Sequence, residues 1–218
     1  MASLMHELRT PTRRLHDLRK IAASTALIIV DMQNGFIEPG GILTTPYGLG
    51  VIPNIQKLVT AVRGAGGTIA WTRHMWSDAH PRPDWFAAQI DPAIAKAMRD
   101  MLPGTHAHAI HDAFDVQDGD ILIDKTRPTA LASYSSDLHA KLQARGIDTI
   151  IVTGCVTSVC CQSTAREGAM LDYRVVFVPD ANAGFDDETH EATLNDLWHM
   201  RWFDIRPAAD IVADLEAR

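Results

Sequence analysis

Ala26-Leu-Ile-Ile-Val30 is an unbroken apolar run that ends on a carboxylate, Asp31. The run is rich in β-branched residues and does not alternate with polar ones, which is typical of a strand covered on both faces in a parallel sheet. Further segments of this kind lie at 68–71, 121–124, 149–153 and 175–179. The sequence therefore predicts a mainly parallel sheet whose first strand is 26–30.

Helix-length segments lie between and after these strands, at 52–63, 136–145, 158–171, 188–200 and 208–217. Gly66 and Gly146 follow the first two segments, as is common after helix C-termini. Phe203 and Ile205 add a short sixth strand. Alternating strands and helices predict an α/β fold, a three-layer αβα sandwich doubly wound around a sheet of about six strands.

Composition and charge narrow the functional classes. No linker or repeat divides the 218 residues, so we expect one domain over 25–218 and an N-terminal arm over 1–24. The net charge of −7 disfavours a nucleic-acid partner, and the longest wholly apolar run is too short to span a membrane. Two of the three cysteines are adjacent, which disfavours a disulfide framework and favours a reducing compartment, by default the cytoplasm.

Ligands of open α/β sheets bind at the carboxyl ends of the strands, and a cysteine lies there. Cys160 follows strand 149–153 and falls in the first turn of the next predicted helix, which Thr157 or Ser158 could cap. The positive end of that helix would lower the pKa of the thiol, and its free N–H groups could hold an oxyanion. A buried structural cysteine is the alternative interpretation.

Two charged residues follow other strands of the same sheet. Asp31 comes directly after the first strand, and Lys125 after the third. A carboxylate could take the proton of a thiol, and an ammonium could stabilise the thiolate. Because all three residues lie at carboxyl ends of strands, a thiol-based active site is favoured over three unrelated structural roles.

The motifs around these residues resemble the isochorismatase-like cysteine hydrolases over about residues 25–215. The stretches that carry the resemblance are Ala26-Leu-Ile-Ile-Val-Asp31-Met-Gln33-Asn-Gly-Phe36, Ile121-Leu-Ile-Asp-Lys125-Thr-Arg127, and Gly154-Cys-Val-Thr-Ser-Val-Cys160-Cys-Gln-Ser-Thr-Ala165-Arg166. Asp180-Ala181 and the helix that begins near Glu188 also match.

The resemblance implies a catalytic triad and an oxyanion hole. Cys160 would be the nucleophile, Asp31 the general base and acid, and Lys125 the electrostatic partner. The resemblance also implies a cis peptide between Cys155 and Val156, with the amides of Val156 and Cys160 holding the oxyanion. Because relatives that cleave a vinyl ether lack this cysteine, Cys160 favours hydrolysis of a C–N bond in an amide or a ureido or carbamoyl compound.

Substrate contacts and a metal site are less well defined by the sequence. The residues expected to bind substrate are Gln33, Phe36, Trp76, Arg127 and Thr157, with Trp71, His74 and Trp85 as further candidates for the pocket wall. Related nicotinamidases carry an Asp-x-His metal motif soon after the second strand. Asp78-Ala-His80 lies about four residues too far along and no second His follows at the expected place, so we expect no metal and no cofactor. The cluster of His106, His108 and His111 fits no zinc spacing.

Three functional interpretations remain open from the sequence. The favoured one is a metal-independent cysteine amidohydrolase that forms a homodimer or homotetramer. The others are a metal-containing amidase of the nicotinamidase type and a non-hydrolytic protein that uses Cys160 and Cys161 for redox sensing or ligand binding. A dinucleotide enzyme is disfavoured, because no Gly-x-Gly-x-x-Gly follows the first strand.

Overall fold

The computed structural model describes residues 11–77 and 84–217. Six strands within these residues form one sheet in the order β3-β2-β1-β4-β5-β6, and every pair of neighbours is parallel. The strands are Thr25–Val30 (β1), Thr68–His74 (β2), Ile121–Lys125 (β3), Thr149–Cys155 (β4), Arg174–Ala183 (β5) and Phe203–Ile205 (β6). The predicted fold class is confirmed.

Helices cover both faces of the sheet. They are Leu18–Ile21 (α1), Asn34–Ile37 (α2), Ile52–Gly64 (α3), Asp84–Gln89 (α4), Pro92–Asp100 (α5), Leu138–Ala144 (α6), Gln162–Met170 (α7), Asp187–Met200 (α8) and Ala208–Glu216 (α9). One apolar core lies where α3 and α9 pack on the sheet, and a second where α6, α7 and α8 pack on it. None of the helices in the described part of the chain is long and apolar enough to cross a membrane.

The order of the strands fixes where a ligand can bind. The chain adds β2 and β3 on one side of β1 and then places β4, β5 and β6 on its other side. A crevice opens at such a reversal, beyond the carboxyl ends of the two strands that flank it. Val30 at the end of β1 lies opposite Thr72 of β2 and Gly154 of β4, so the segments after β1 and β4 meet in that crevice.

The described part of the predicted arm, residues 11–24, packs against the last strand and the last helix. Arg13 pairs with Ile205 in an antiparallel bridge at the edge of β6, and Leu18 is fully buried. Arg206 is also buried and forms ion pairs with Asp204 and Asp214. The backbone N–H of Leu18 donates to the same Asp214. Residues 1–10 of the predicted arm lie outside the described residues.

Candidate active site

A buried ion pair lies at the carboxyl end of the sheet. Asp31 follows β1 in a left-handed conformation, with φ at 51°, and its Oδ2 is 2.7 Å from Nζ of Lys125 at the end of β3. The two side chains are 1% and 0% exposed. Thr72, on the strand between them, donates a hydrogen bond to the other carboxylate oxygen at 2.8 Å. The structure thus brings together two residues that the sequence predicts as catalytic partners.

The ion pair keeps Lys125 charged. Burial alone would disfavour the ammonium, but the carboxylate of Asp31, together with Cys160, raises the pKa of Lys125 above its usual value. Nζ also donates to the carbonyl oxygen of Arg127 at 3.1 Å. Lys125 is therefore a fixed positive charge in a site where water has little access.

Cys160 lies beside this ion pair, on a π-helical turn, Thr157–Cys161, that connects β4 to α7. The residue is partly exposed, whereas Asp31 and Lys125 are not, and its thiol interacts with both of their side chains. Single π-helical turns are rare and occur often at functional sites. The structure therefore places all three predicted catalytic residues in contact, and Cys160 is the one of the three that is not fully buried.

The thiol does not have the lowered pKa that the sequence predicts. Withdrawal from water raises the pKa of Cys160 to about 12; Lys125 opposes this shift, while the Asp31 carboxylate adds to it. The prediction was wrong because it considered only the helix end and not burial or the neighbouring carboxylate. At neutral pH the thiol is protonated, so a nucleophilic reaction requires a base, and Asp31 is in contact with it.

The segment between β4 and the π turn has the unusual backbone that the resemblance implies. The peptide bond between Cys155 and Val156 is cis. Gly154, just before it, has a φ of 113°, and a Cβ built there would lie 2.1 Å from the carbonyl oxygen of Val30. Only glycine fits this close approach of β4 to β1. On the other side of β4, Asn182 of β5 donates to the carbonyl oxygen of Val152 on β4 and to that of Val178 on its own strand.

Two residues predicted to bind substrate are completely buried. Gln33 donates to the carbonyl oxygens of His74 and His108 and accepts from the N–H of His74, so both amide hydrogens are used. Thr157 is 0% exposed, and its Oγ1 lies 2.9 Å from Nδ1 of His190. It does not cap the helix, since no side chain caps the π turn. The geometry gives both residues internal partners.

The other pocket candidates also have partners within the protein. Phe36 lies against the ring of His74, Arg127 donates to the carbonyl oxygen of Thr126, and Trp76 receives the guanidinium of Arg99 over its ring. Trp71, in contrast, is a core residue, 0% exposed, with Nε1 donating to Asp120.

The possible metal ligands that the structure describes have separate partners. Asp78 and His80 lie outside the described residues. His106 pairs with Glu38, whereas His108 pairs with Asp124. No group of three or more His, Cys, Asp or Glu side chains within 11–77 and 84–217 could hold a metal ion.

Two polar residues of the site have no assigned role in the prediction from the sequence: Thr72, which the prediction places only among the residues at strand ends, and His190, which it does not identify. Thr72 lies within a strand whose residues are mostly buried, and His190 lies on a helix far along the chain. A polar residue in a buried strand was an available indication for Thr72. For His190 there was none, because only the tertiary fold brings α8 to the π turn.

Comparison with known proteins identifies relatives of the chain. Residues 25–202 match the family model of the isochorismatase domain. The chain is 36% identical over 172 residues to YwoC, an uncharacterized isochorismatase family protein of Bacillus subtilis, covering 78% of this chain and 83% of YwoC. It is 32% identical over 191 residues to the ureidoacrylate amidohydrolase RutB of Methylobacterium radiotolerans, covering 80% and 73% of the two chains.

The fold is likewise similar to that of a solved structure. A cysteine hydrolase from Pseudomonas syringae pv. phaseolicola superimposes with a TM-score of 0.80 at 26% identity, covering 96% of this chain and 99% of that one. The resemblance inferred from the motifs is confirmed: the chain belongs to the isochorismatase family of hydrolases.

Proposed function

We propose that this protein is a cysteine-dependent hydrolase that cleaves a C–N bond of a small amide or of a ureido or carbamoyl compound. The observation that carries the proposal is the buried ion pair of Asp31 and Lys125 in contact with the thiol of Cys160, a residue that is itself partly exposed. A structural cysteine needs neither a charged pair nor access to solvent. The similarity to a ureidoacrylate amidohydrolase supports the ureido class.

The first half of the reaction forms a covalent intermediate. Asp31 takes the proton of the Cys160 thiol, and the sulfur forms a bond to the substrate carbonyl carbon. The backbone amides of Val156 and Cys160 hold the oxyanion that results. When the C–N bond breaks, the amine leaves with the proton from Asp31, and the acyl group remains on sulfur as a thioester, or as a thiocarbamate if the substrate is a urea.

The second half returns the enzyme to its starting state. Asp31 takes a proton from water, and the hydroxide attacks the thioester carbonyl carbon. The C–S bond then breaks, and the proton returns to the sulfur of Cys160. Lys125 stays protonated throughout and stabilises the negative charge that passes between Asp31 and Cys160. The net reaction consumes one water and needs no oxidant or reductant.

Ammonia release tests the proposal on a panel of carbamoyl amino acids, ureidoacrylate, biuret-like ureides, simple amides and nicotinamide. Wild type is compared with Cys160→Ala, with Asp31→Asn and with a chelator-treated sample. The matched control is Cys161→Ala, because Cys161 is adjacent in sequence but fully buried in the core. We expect release by wild type and by Cys161→Ala, with losses of at least about a thousandfold in the two site variants.

Other outcomes would identify the alternatives. Equal release by wild type and Cys160→Ala would overturn the thiol mechanism. Loss of activity on chelation would favour a metal amidase of the nicotinamidase type, with Asp78 and His80 as candidate ligands. A thiol that reacts with ligands or oxidants while no member of the panel is hydrolysed would favour the non-hydrolytic alternative.

The proposal extends to the oligomeric state of the protein and to its location in the cell. We propose a homodimer or homotetramer in the cytoplasm, acting without a cofactor. Light scattering of the purified chain gives its mass in solution, and a monomer at micromolar concentration would contradict the first part. Fractionation of the source cells tests the second.

A further inference from the structure

One polar contact in the site is not used by the proposed chemistry. Thr157 follows Val156 directly and begins the π turn that ends with Cys160 and Cys161. Its side chain is completely buried, and Oγ1 is 2.9 Å from Nδ1 of His190. This contact therefore lies within the short segment that connects the two amides proposed to hold the oxyanion.

His190 is held firmly from the other side. It lies in the first turn of α8, its N–H donates to the carbonyl oxygen of Asp186, and the Asp186 side chain caps the helix by accepting from Thr189. Gly184 lies close to this side chain, since a Cβ built on Gly184 would lie 3.0 Å from Cβ of His190. The imidazole thus has a fixed position relative to β5.

Among the described residues, the imidazole of His190 has one hydrogen-bond partner, Thr157. The side chain of His190 is buried, and Nε2 has no hydrogen-bond partner within residues 11–77 and 84–217. Burial lowers the pKa of His190, although Glu191 and Asp187 oppose this shift. A neutral, buried imidazole that hydrogen-bonds only a threonine is suited to hold that threonine in place.

We propose that Thr157 and His190 are positioning residues that fix the oxyanion-binding amides of Val156 and Cys160. The inference rests on the proposed function, because an oxyanion forms only if Cys160 attacks a carbonyl. Neither side chain is placed to touch substrate, since Thr157 is fully buried and the hydroxyl points to the imidazole. Their contribution is geometric: displacement of reacting groups by about 1 Å can lower a rate by about a hundredfold.

Matched substitutions separate this role from general packing. Thr157→Val keeps the shape of the side chain but removes the hydroxyl, and Thr157→Ser keeps the hydroxyl. His190→Asn keeps a polar group near the position of Nδ1, and His190→Leu removes it. We expect Thr157→Val and His190→Leu to lower kcat by about ten- to a hundredfold with little change in KM. The conservative variants Thr157→Ser and His190→Asn should keep most of the wild-type kcat.

A second measurement does not depend on turnover. A small aldehyde such as acetaldehyde adds to a thiol as a hemithioacetal, whose oxygen would occupy the oxyanion hole. Iodoacetamide alkylates the same thiol without forming an oxyanion. We expect Thr157→Val to weaken the aldehyde adduct of Cys160 about tenfold or more, while the alkylation rate changes less than twofold. Thermal unfolding of each variant shows whether the fold is retained, and if Thr157→Val does not fold, the His190 pair supplies the test.

The outcomes distinguish this inference from the proposed function. Equal kcat for Thr157→Val and Thr157→Ser, or parallel losses of aldehyde binding and alkylation, would overturn the positioning role while leaving the hydrolase intact. A hydroxyl-dependent aldehyde adduct without hydrolysis of any substrate would support the positioning role and count against the proposed function. If wild type forms no aldehyde adduct, the inference fails.

Discussion

At the scale of single residues, the protonated thiol of Cys160 determines how the rate of alkylation depends on pH. Because burial and Asp31 raise its pKa to about 12, the thiolate fraction should increase with pH throughout the range in which the protein is folded. We expect the logarithm of the rate of alkylation by iodoacetamide to rise by about one for each pH unit between pH 7 and 9.5. Mass spectrometry of the labelled protein measures this rate.

The control for alkylation is Cys160→Ala, in which the buried Cys155 and Cys161 should remain unlabelled. A plateau in the alkylation rate near pH 7 would contradict the raised pKa of Cys160. It would support instead the lowered pKa that the helix end alone predicts. The two outcomes thus decide whether burial or the helix end determines the state of the thiol.

Lys125 should contribute to stability as well as to chemistry. Lys125→Met leaves the carboxylate of Asp31 buried without its partner, which typically costs about 3–5 kcal/mol of unfolding free energy. The matched control is Lys141→Met, which breaks an exposed pair with Asp137 and should cost about 0–1 kcal/mol. Urea unfolding of both variants gives the two values. Equal losses would mean that the ion pair at the site is no better shielded from water than one on the surface.

The sequence indicates part of the site because some residue positions follow from chain order alone. Asp31, Lys125 and Cys160 each lie at or soon after the end of a strand, so a parallel sheet is enough to group them. Gln33 and Thr157 belong to the same segments, but the directions of their side chains depend on partners that only the tertiary structure supplies. This is why two expected substrate contacts have buried partners within the protein.

At the scale of elements, the close approach of β4 to β1 depends on one glycine. Gly154→Ala would place a Cβ 2.1 Å from a backbone oxygen of Val30, at a φ of 113° that side chains rarely adopt. We expect this variant to lose more than about 3 kcal/mol of unfolding free energy, or not to fold cooperatively. Chemical denaturation followed by circular dichroism measures the loss.

Gly146→Ala is the matched control for Gly154. Gly146 also has a positive φ, of 68°, but a Cβ there meets nothing within 4 Å. We expect Gly146→Ala to lose about 1–2 kcal/mol of unfolding free energy, because only the left-handed backbone conformation is unfavourable for alanine there. If the two variants were equally stable, contact between the strands would not be the reason for glycine at 154.

Elements with regular apolar patterns were predictable, and those shaped by local contacts were not. All five predicted helices appear with shifted ends, and the one over 158–171 is divided into a π turn and α7. The last part of β5, Pro179 to Ala183, carries no β-branched residue. It continues the strand through pairing with β4, where the register shifts between Val152 and Gly154 and Asn182 bridges the strands. Side-chain bonds of this kind leave no periodic pattern in the sequence.

At the scale of the whole molecule, two imidazoles that folding withdraws from water couple the stability of the fold to pH. Burial lowers the pKa of His190, and likewise the pKa of His16 in the N-terminal segment, below the usual 6.5. In the unfolded chain both side chains bind a proton at their ordinary pKa. Between that value and the lower folded value the unfolded state therefore holds more protons. Stability from these groups is present above pH 6.5 and is lost as the pH falls below it.

His190→Asn isolates one of these contributions. We expect the difference in unfolding free energy between wild type and His190→Asn to shrink as the pH is lowered from 7.5 to 5, because only wild type must protonate a buried imidazole on that path. Glu191 and Asp187 reduce the effect without reversing its direction, since burial is the larger influence on the pKa of His190.

Urea titrations at several pH values measure the difference in unfolding free energy between wild type and His190→Asn. The control variant is His199→Asn, a histidine substitution at an exposed position of the same helix. A difference that stays constant or grows at low pH would mean that the imidazole accepts a proton in the folded protein as readily as in the unfolded chain, and that His190 does not hold Thr157 as a neutral side chain.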